Sequence, residues 1–106
     1  MIVLSVPANL YNPALHSLIP ESFLEIRLDL HPNPIHFSSN SLNDKTILTL
    51  RDPENKLLSL KKDIFSNSIK NYKCLIDIEL NNYLHFKTLA DNMILSEHLD
   101  AFNPEN

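Results

Sequence analysis

Phe23-Leu24-Glu25-Ile26-Arg27-Leu28-Asp29-Leu30 alternates without a break from Leu24 onward. Glu25, Arg27 and Asp29 hold one set of positions and leucine or isoleucine the other, the period of two that a β-strand produces by sending successive side chains to opposite faces. One face is therefore apolar and the other ionic. A strand facing bulk water carries such charges at little cost, but three ionised groups of mixed sign at i, i+2 and i+4 also suit a water-lined pocket whose charges balance one another. The neighbouring strands favour the pocket.

Residues 2–6, Ile-Val-Leu-Ser-Val, read as a short buried strand closed by Pro7. A brief helix is expected over 13–22. After Leu30, His31-Pro32-Asn33-Pro34 ends the second strand, and 34–44 is a connector with little pattern. Residues 46–51 (Thr-Ile-Leu-Thr-Leu-Arg) form a third strand and 74–80 (Cys-Leu-Ile-Asp-Ile-Glu-Leu) a fourth. The best helix runs from Glu54 to Asn71, with Leu57, Leu58, Leu60, Ile64, Phe65 and Ile69 as its apolar stripe and Lys61, Lys62 and Lys70 facing out. A shorter helix over 81–92 presents Leu84, Phe86, Leu89 and Ala90, and 93–98 (Met-Ile-Leu-Ser-Glu-His) makes a fifth strand. The tail, Asn103-Pro104-Glu105-Asn106, has the look of an approach to another helix. Strands alternating with helices indicate parallel βα units, with the helices on one side if the sheet curls.

Each strand reserves one face near its carboxyl end for polar groups: Ser5; Glu25, Arg27 and Asp29; Thr49 and Arg51; Asp77 and Glu79; Ser96 and His98. Ligand sites in parallel α/β folds gather at those ends. Polar capping of strands that pack helices on their other face explains any one of these sets; five in agreement favour a shared site.

The bulk properties narrow the classes. At 106 residues the chain fits one domain, spanning 1–106, with a modest core. A net charge of −4 and only two arginines give no electrostatic footprint for nucleic acid. No Lys or Arg precedes Arg27, and Pro7 and Pro13 interrupt the start of the chain, so neither a signal peptide nor a membrane span is expected and the cytoplasm is the expected location. The single cysteine, Cys74, lies in an apolar run and reads as buried in a reducing compartment. Glycine is absent, which excludes Gly-rich phosphate loops and leaves turns to the thirteen asparagines, the prolines and the serines.

Taken in order, these segments resemble type I 3-dehydroquinate dehydratase, the Schiff-base enzyme of the shikimate pathway. Leu24-Glu25-Ile26-Arg27-Leu28-Asp29 is similar to its second-strand Glu-x-Arg-x-Asp signature and Leu48-Thr49-Leu50-Arg51 to its third-strand arginine. Ile76-Asp77-Ile78-Glu79-Leu80 resembles the Asp-x-Glu-Leu of its fourth strand, Ile94-Leu95-Ser96-Glu97-His98 the strand bearing its catalytic histidine, and Val3-Leu4-Ser5 its first strand. The resemblance implies an α/β fold that is part of a (β/α)8 TIM barrel, about five parallel strands with short helices, since a full barrel needs roughly 200 residues or more. It also implies dehydration of 3-dehydroquinate to 3-dehydroshikimate through an imine between a lysine and the substrate's ketone, without a cofactor or metal. His98 would be the general acid/base, suited to take and return a proton near neutral pH. Glu25, Arg27 and Arg51 would hold the substrate's hydroxyls, Ser5 would line the floor, and Asp77 and Glu79 would support the site.

The family's imine-forming lysine stands on its sixth strand, and this sequence stops eight residues after His98, so that lysine has no counterpart here. Nor has the family's later arginine, or the loop over its site. The acid after the family's third-strand arginine has only Glu54 as a partial match, since Arg51-Asp52-Pro53-Glu54-Asn55 lacks the paired glycines. Four acids (Glu25, Asp29, Asp77, Glu79) against two arginines on the expected pocket face leave a negative excess that an anionic substrate would not enter unaided. Catalysis by this chain alone is therefore not expected. Five strands also leave two open edges, to be covered by a second copy or by a complementary half-barrel chain. Two alternatives stand beside the enzyme. One is a non-catalytic barrel fragment acting as a binding or interaction protein. The other is a divalent-metal site built from Asp77, Glu79 and His98, disfavoured because Arg27 and Arg51 would repel the ion.

Overall fold

The computed structural model describes residues 2–18, 20–32 and 42–96. Five strands, β1 (Val3–Pro7), β2 (Phe23–Arg27), β3 (Thr46–Thr49), β4 (Leu75–Glu79) and β5 (Met93–Ser96), form one sheet in the order β1-β2-β3-β4-β5. Every pairing is parallel. Parallel neighbours need crossovers, and these are α1 (Leu58–Tyr72) between β3 and β4 and, between β4 and β5, one α-turn, α2 (Tyr83–Phe86), flanked by 3₁₀ segments at Leu80–Asn82 and Lys87–Asn92. The chain is thus an α/β protein with an all-parallel sheet and few, short helices. Among the described residues, no helix is long and apolar enough to cross a membrane.

Register explains the core. Ile26 pairs with Leu48 and Leu48 with Ile76, so these side chains share a face. With Leu28, Leu50, Cys74 and Ile78 they are buried and pack with Phe65 of α1 and Phe86 of α2, whose rings lie 6.0 Å apart and tilted by 51°. Each such side chain contributes roughly 1.5 to 3 kcal/mol by leaving water. Burial pushes the Cys74 thiol up to about 11, so it is an inert part of this core.

Turns form without glycine. The Asn43 carboxamide oxygen accepts from the Lys45 N–H at 2.9 Å and from the Thr46 hydroxyl at 3.3 Å, turning the chain into β3. Lys73 ends α1 in the left-handed region (φ 57°), and Asn55 takes φ 56° before it. Asp52 stands in for a helix cap: its two oxygens accept the N–H groups of Lys56 (3.1 Å) and Leu57 (2.7 Å) just ahead of α1. Replacing Asp52 with alanine is expected to cost about 1 to 2 kcal/mol, with asparagine recovering part of the loss, read as a shift in the denaturation midpoint. An unchanged midpoint in Asp52→Ala would remove this carboxylate from the account of how α1 begins.

Several expectations need correction. β2 ends at Arg27, and Leu28–Leu30 form a 3₁₀ turn, so Asp29 lies just beyond the strand. β3 ends at Thr49, leaving Arg51 outside it. The helix expected over 13–22 is a 3₁₀ segment at Pro13–Ser17, begun by the Asn12 side chain accepting from the Ala14 N–H. Leu84 is 75% exposed, because α2 is too short to sustain a helical stripe and the backbone at Leu89 leaves helical geometry. Lys61 does not face out. It is 1% exposed, deep against the core. The connector from 33 to 41 and the residues after Ser96, including His98 and the expected tail, lie outside the described residues.

Candidate functional site

The face of the sheet opposite the core collects the polar side chains. Ser5 pairs with Glu25, Arg27 with Thr49, Thr49 with Asp77, and Glu79 with Ser96, and paired residues of a sheet share a face. Alternation places Ser5, Glu25 and Arg27, Thr49, Asp77 and Glu79, and Ser96 there together, as the sequence pattern requires.

A hydrogen-bonded row crosses three strands. The Ser5 hydroxyl donates to Glu25 Oε1 at 2.6 Å, and the Thr49 hydroxyl to Glu25 Oε2, also at 2.6 Å. One carboxylate is thus held from both sides, its two oxygens bound by hydroxyls from the neighbouring strands. Thr49 Oγ1 also lies 3.5 Å from Asp77 Oδ2, a secondary contact because a hydroxyl has a single proton to give. Two buried atoms on this face, Asp77 Oδ1 and Ser96 Oγ, have no hydrogen-bond partner among the described residues.

Arg27 and Asp29 form a bidentate pair, Nε to Oδ1 at 3.0 Å and Nη2 to Oδ2 at 2.6 Å. The hydrogen bonds that Arg27 donates to Asp29 raise the Arg27 pKa above its ordinary value, with burial opposing. Burial pushes the Asp29 carboxyl up, but the Arg27 guanidinium and the backbone N–H groups of Asp29 and Arg51 outweigh it and hold the group below the usual aspartate value. The fork uses Nε and Nη2 of the guanidinium.

Two residues named from the sequence stand apart. Arg51 is exposed, and its backbone N–H donates to Asp29. Glu54 is a surface residue paired with Lys56 at 2.8 Å. Among the described residues, no group of three or more His, Cys, Asp or Glu side chains is placed to hold a metal ion.

Lys61 is the functional-type residue that pattern reading misplaced. Its Nζ has no hydrogen-bond partner among the described residues and lies 5.8 Å from the Phe65 ring centroid and 5.5 Å from that of Phe86. Burial pushes the ammonium below the usual lysine range, and the charges of Glu79, Asp52, Asp77 and Asp29 pull the other way without overcoming it. The charge count on the polar face changes accordingly. Arg27 neutralises Asp29, Arg51 has left, and Lys61 offsets Glu79 and Asp77 from the core side. A helical wheel carries the missed signal: at about 100° per residue, Lys61 falls in the middle of the arc defined by Leu57, Leu58, Leu60, Ile64, Phe65 and Ile69.

No family model, curated protein or solved structure matches the chain.

Proposed function

We propose that this chain is a 3-dehydroquinate dehydratase-like half site on a partial (β/α)8 barrel, binding a small polyhydroxylated ring acid at the carboxyl ends of its strands. The observation that carries the reading is the row Ser5–Glu25–Thr49 with Arg27 on the same face: a carboxylate held by two hydroxyls, with a guanidinium on the same strand. That combination offers an acceptor and a donor to neighbouring hydroxyls of one ligand. Asp77 and Glu79 support it, and His98 would move the proton. The amine that forms the imine comes from outside these 106 residues, since the seven lysines lie on helices and connectors and the buried one, Lys61, packs on the core side of the sheet. The same placement is what favours the second reading, a binding or interaction protein that keeps the polar face without turnover.

The test is dehydratase activity on 3-dehydroquinate, followed by the absorbance of the conjugated product, with borohydride added in parallel to trap an imine as a mass adduct. The expected result is no turnover by the chain alone and turnover once the carboxyl-terminal half of a type I dehydratase is added. No turnover in either case leaves the binding reading, and an adduct on this chain overturns the assignment of the amine to another polypeptide.

A further inference from the structure

The charged side chains carried by the five strands are three acids, Glu25, Asp77 and Glu79, and a single cation, Arg27. All four lie on the polar face, so an anion that settles on the strands there has Arg27 as its counter-charge. That counter-charge is already engaged. Nε and Nη2 form the edge of a guanidinium that receives a carboxylate in two parallel hydrogen bonds, and both go to Asp29.

Asp29 is placed to exchange with another carboxylate. It stands beyond β2, on the 3₁₀ turn Leu28–Leu30. Its carboxylate also accepts from the backbone N–H groups of Asp29 and Arg51, and these partners do not depend on the guanidinium. The side chains of Arg27 and Asp29 are 17% and 16% exposed, so the pair meets water and a dissolved acid can reach it. Exchanging one carboxylate for another preserves both hydrogen bonds of the fork and its charge pairing. A ligand hydroxyl in the same place offers a neutral oxygen and leaves the guanidinium charge uncompensated.

We propose that the Arg27 fork is a carboxylate-binding site, that Asp29 occupies it as a tethered competitor, and that a ligand enters by replacing Asp29 with its own acid group. Asp29 is then a specificity-determining residue: a hydroxylated ring that carries a carboxylate opens the fork, and a neutral polyol does not. The row Ser5–Glu25–Thr49 faces the hydroxyls of the same ring. This inference rests on the reading of the polar face as the site of a hydroxylated ring acid.

The test titrates the isotope-labelled chain with quinate, a hydroxylated ring acid, with acetate, which has the acid group alone, and with inositol, a neutral polyol. Quinate is expected to move the Arg27 Nε–H resonance and the Asp29 carboxyl carbon resonance together, and inositol neither. Asp29→Asn keeps an oxygen for the backbone N–H groups and removes the competing charge. It should bind quinate and acetate about tenfold more tightly than the parent, since apparent affinity falls with the fraction of molecules whose site is free. Quinate bound with the Asp29 resonance unmoved, acids that leave Arg27 unmoved in both chains, or inositol bound as well as quinate would each overturn the proposal without recourse to a variant. Equal or weaker acid binding by a folded Asp29→Asn chain would also overturn it, the weaker result meaning that Asp29 holds Arg27 in place for the ligand. A gain for acetate with no binding of quinate would keep Asp29 as the competitor and overturn instead the reading of the face as a ring-acid site.

Discussion

Replacing Lys61 with methionine is expected to stabilise the chain by about 1 to 3 kcal/mol near neutral pH. An ammonium has three donors and no acceptor. At this site none of the three finds a hydrogen-bond partner among the described residues, and the two aromatic faces at 5.5 and 5.8 Å return only part of the lost hydration. Methionine keeps the unbranched length that fills the same space. The pH dependence follows from the direction of the shift. A base whose folded-state pKa lies below its unfolded value binds fewer protons when folded, so stability rises with pH between the two values. The penalty is complete below the folded value and vanishes above the ordinary lysine value near 10.5. The gain from Lys61→Met should accordingly be largest at pH 6 and shrink toward pH 10.5 when denaturant midpoints are compared. A loss of stability at pH 6 would show that Glu79, Asp77 and Asp52 hold the ammonium more strongly than burial opposes it.

The largest loss is expected at Phe86. Truncation to alanine removes a side chain that is 1% exposed, opens a cavity against Phe65, and strips one of the two rings from Lys61. Such changes cost about 3 to 5 kcal/mol. A domain of this size has roughly 5 to 15 kcal/mol in total, so Phe86→Ala should leave a chain close to its unfolding threshold, with a strongly lowered melting temperature. Because Lys61 and Phe86 touch, the effects of Lys61→Met and Phe86→Ala should not add, and a double-mutant cycle measures their coupling. A Phe86→Ala variant melting like the parent would mean that α2 does not close this end of the core.

The strands were the legible part of the sequence. Leu24-Glu25-Ile26-Arg27 and Ile76-Asp77-Ile78-Glu79 alternate strictly, and alternation fixes both the element and the face, which is why Ser5, Glu25, Thr49 and Asp77 come together as their spacing requires. The ends of strands were not legible, because alternation does not state where pairing stops. Leu28-Asp29-Leu30 continues the pattern of β2 while the backbone curls into a 3₁₀ turn and Asp29 grips Arg27. The helix over 81–92 failed for a related reason: it has apolar residues, but only one turn of it, Tyr83–Phe86, keeps α-helical spacing. Lys61 was misplaced by its chemistry. Its angle on α1 is that of a core residue, although its ammonium is of a kind that usually faces water.

The sequential order of the sheet bears on how the chain acquires its structure. Every strand lies beside the one that precedes it in the sequence: Ser5 meets Glu25, Thr49 meets Asp77, and Asp77 meets Ile94. No strand has to wait for a distant segment before it can pair, so each loop that must be closed is short and its entropy cost is modest. On a ribosome, β2 can dock on β1 as soon as it emerges, and each later strand finds its template already in place. The sheet can grow in the direction of synthesis, one edge at a time.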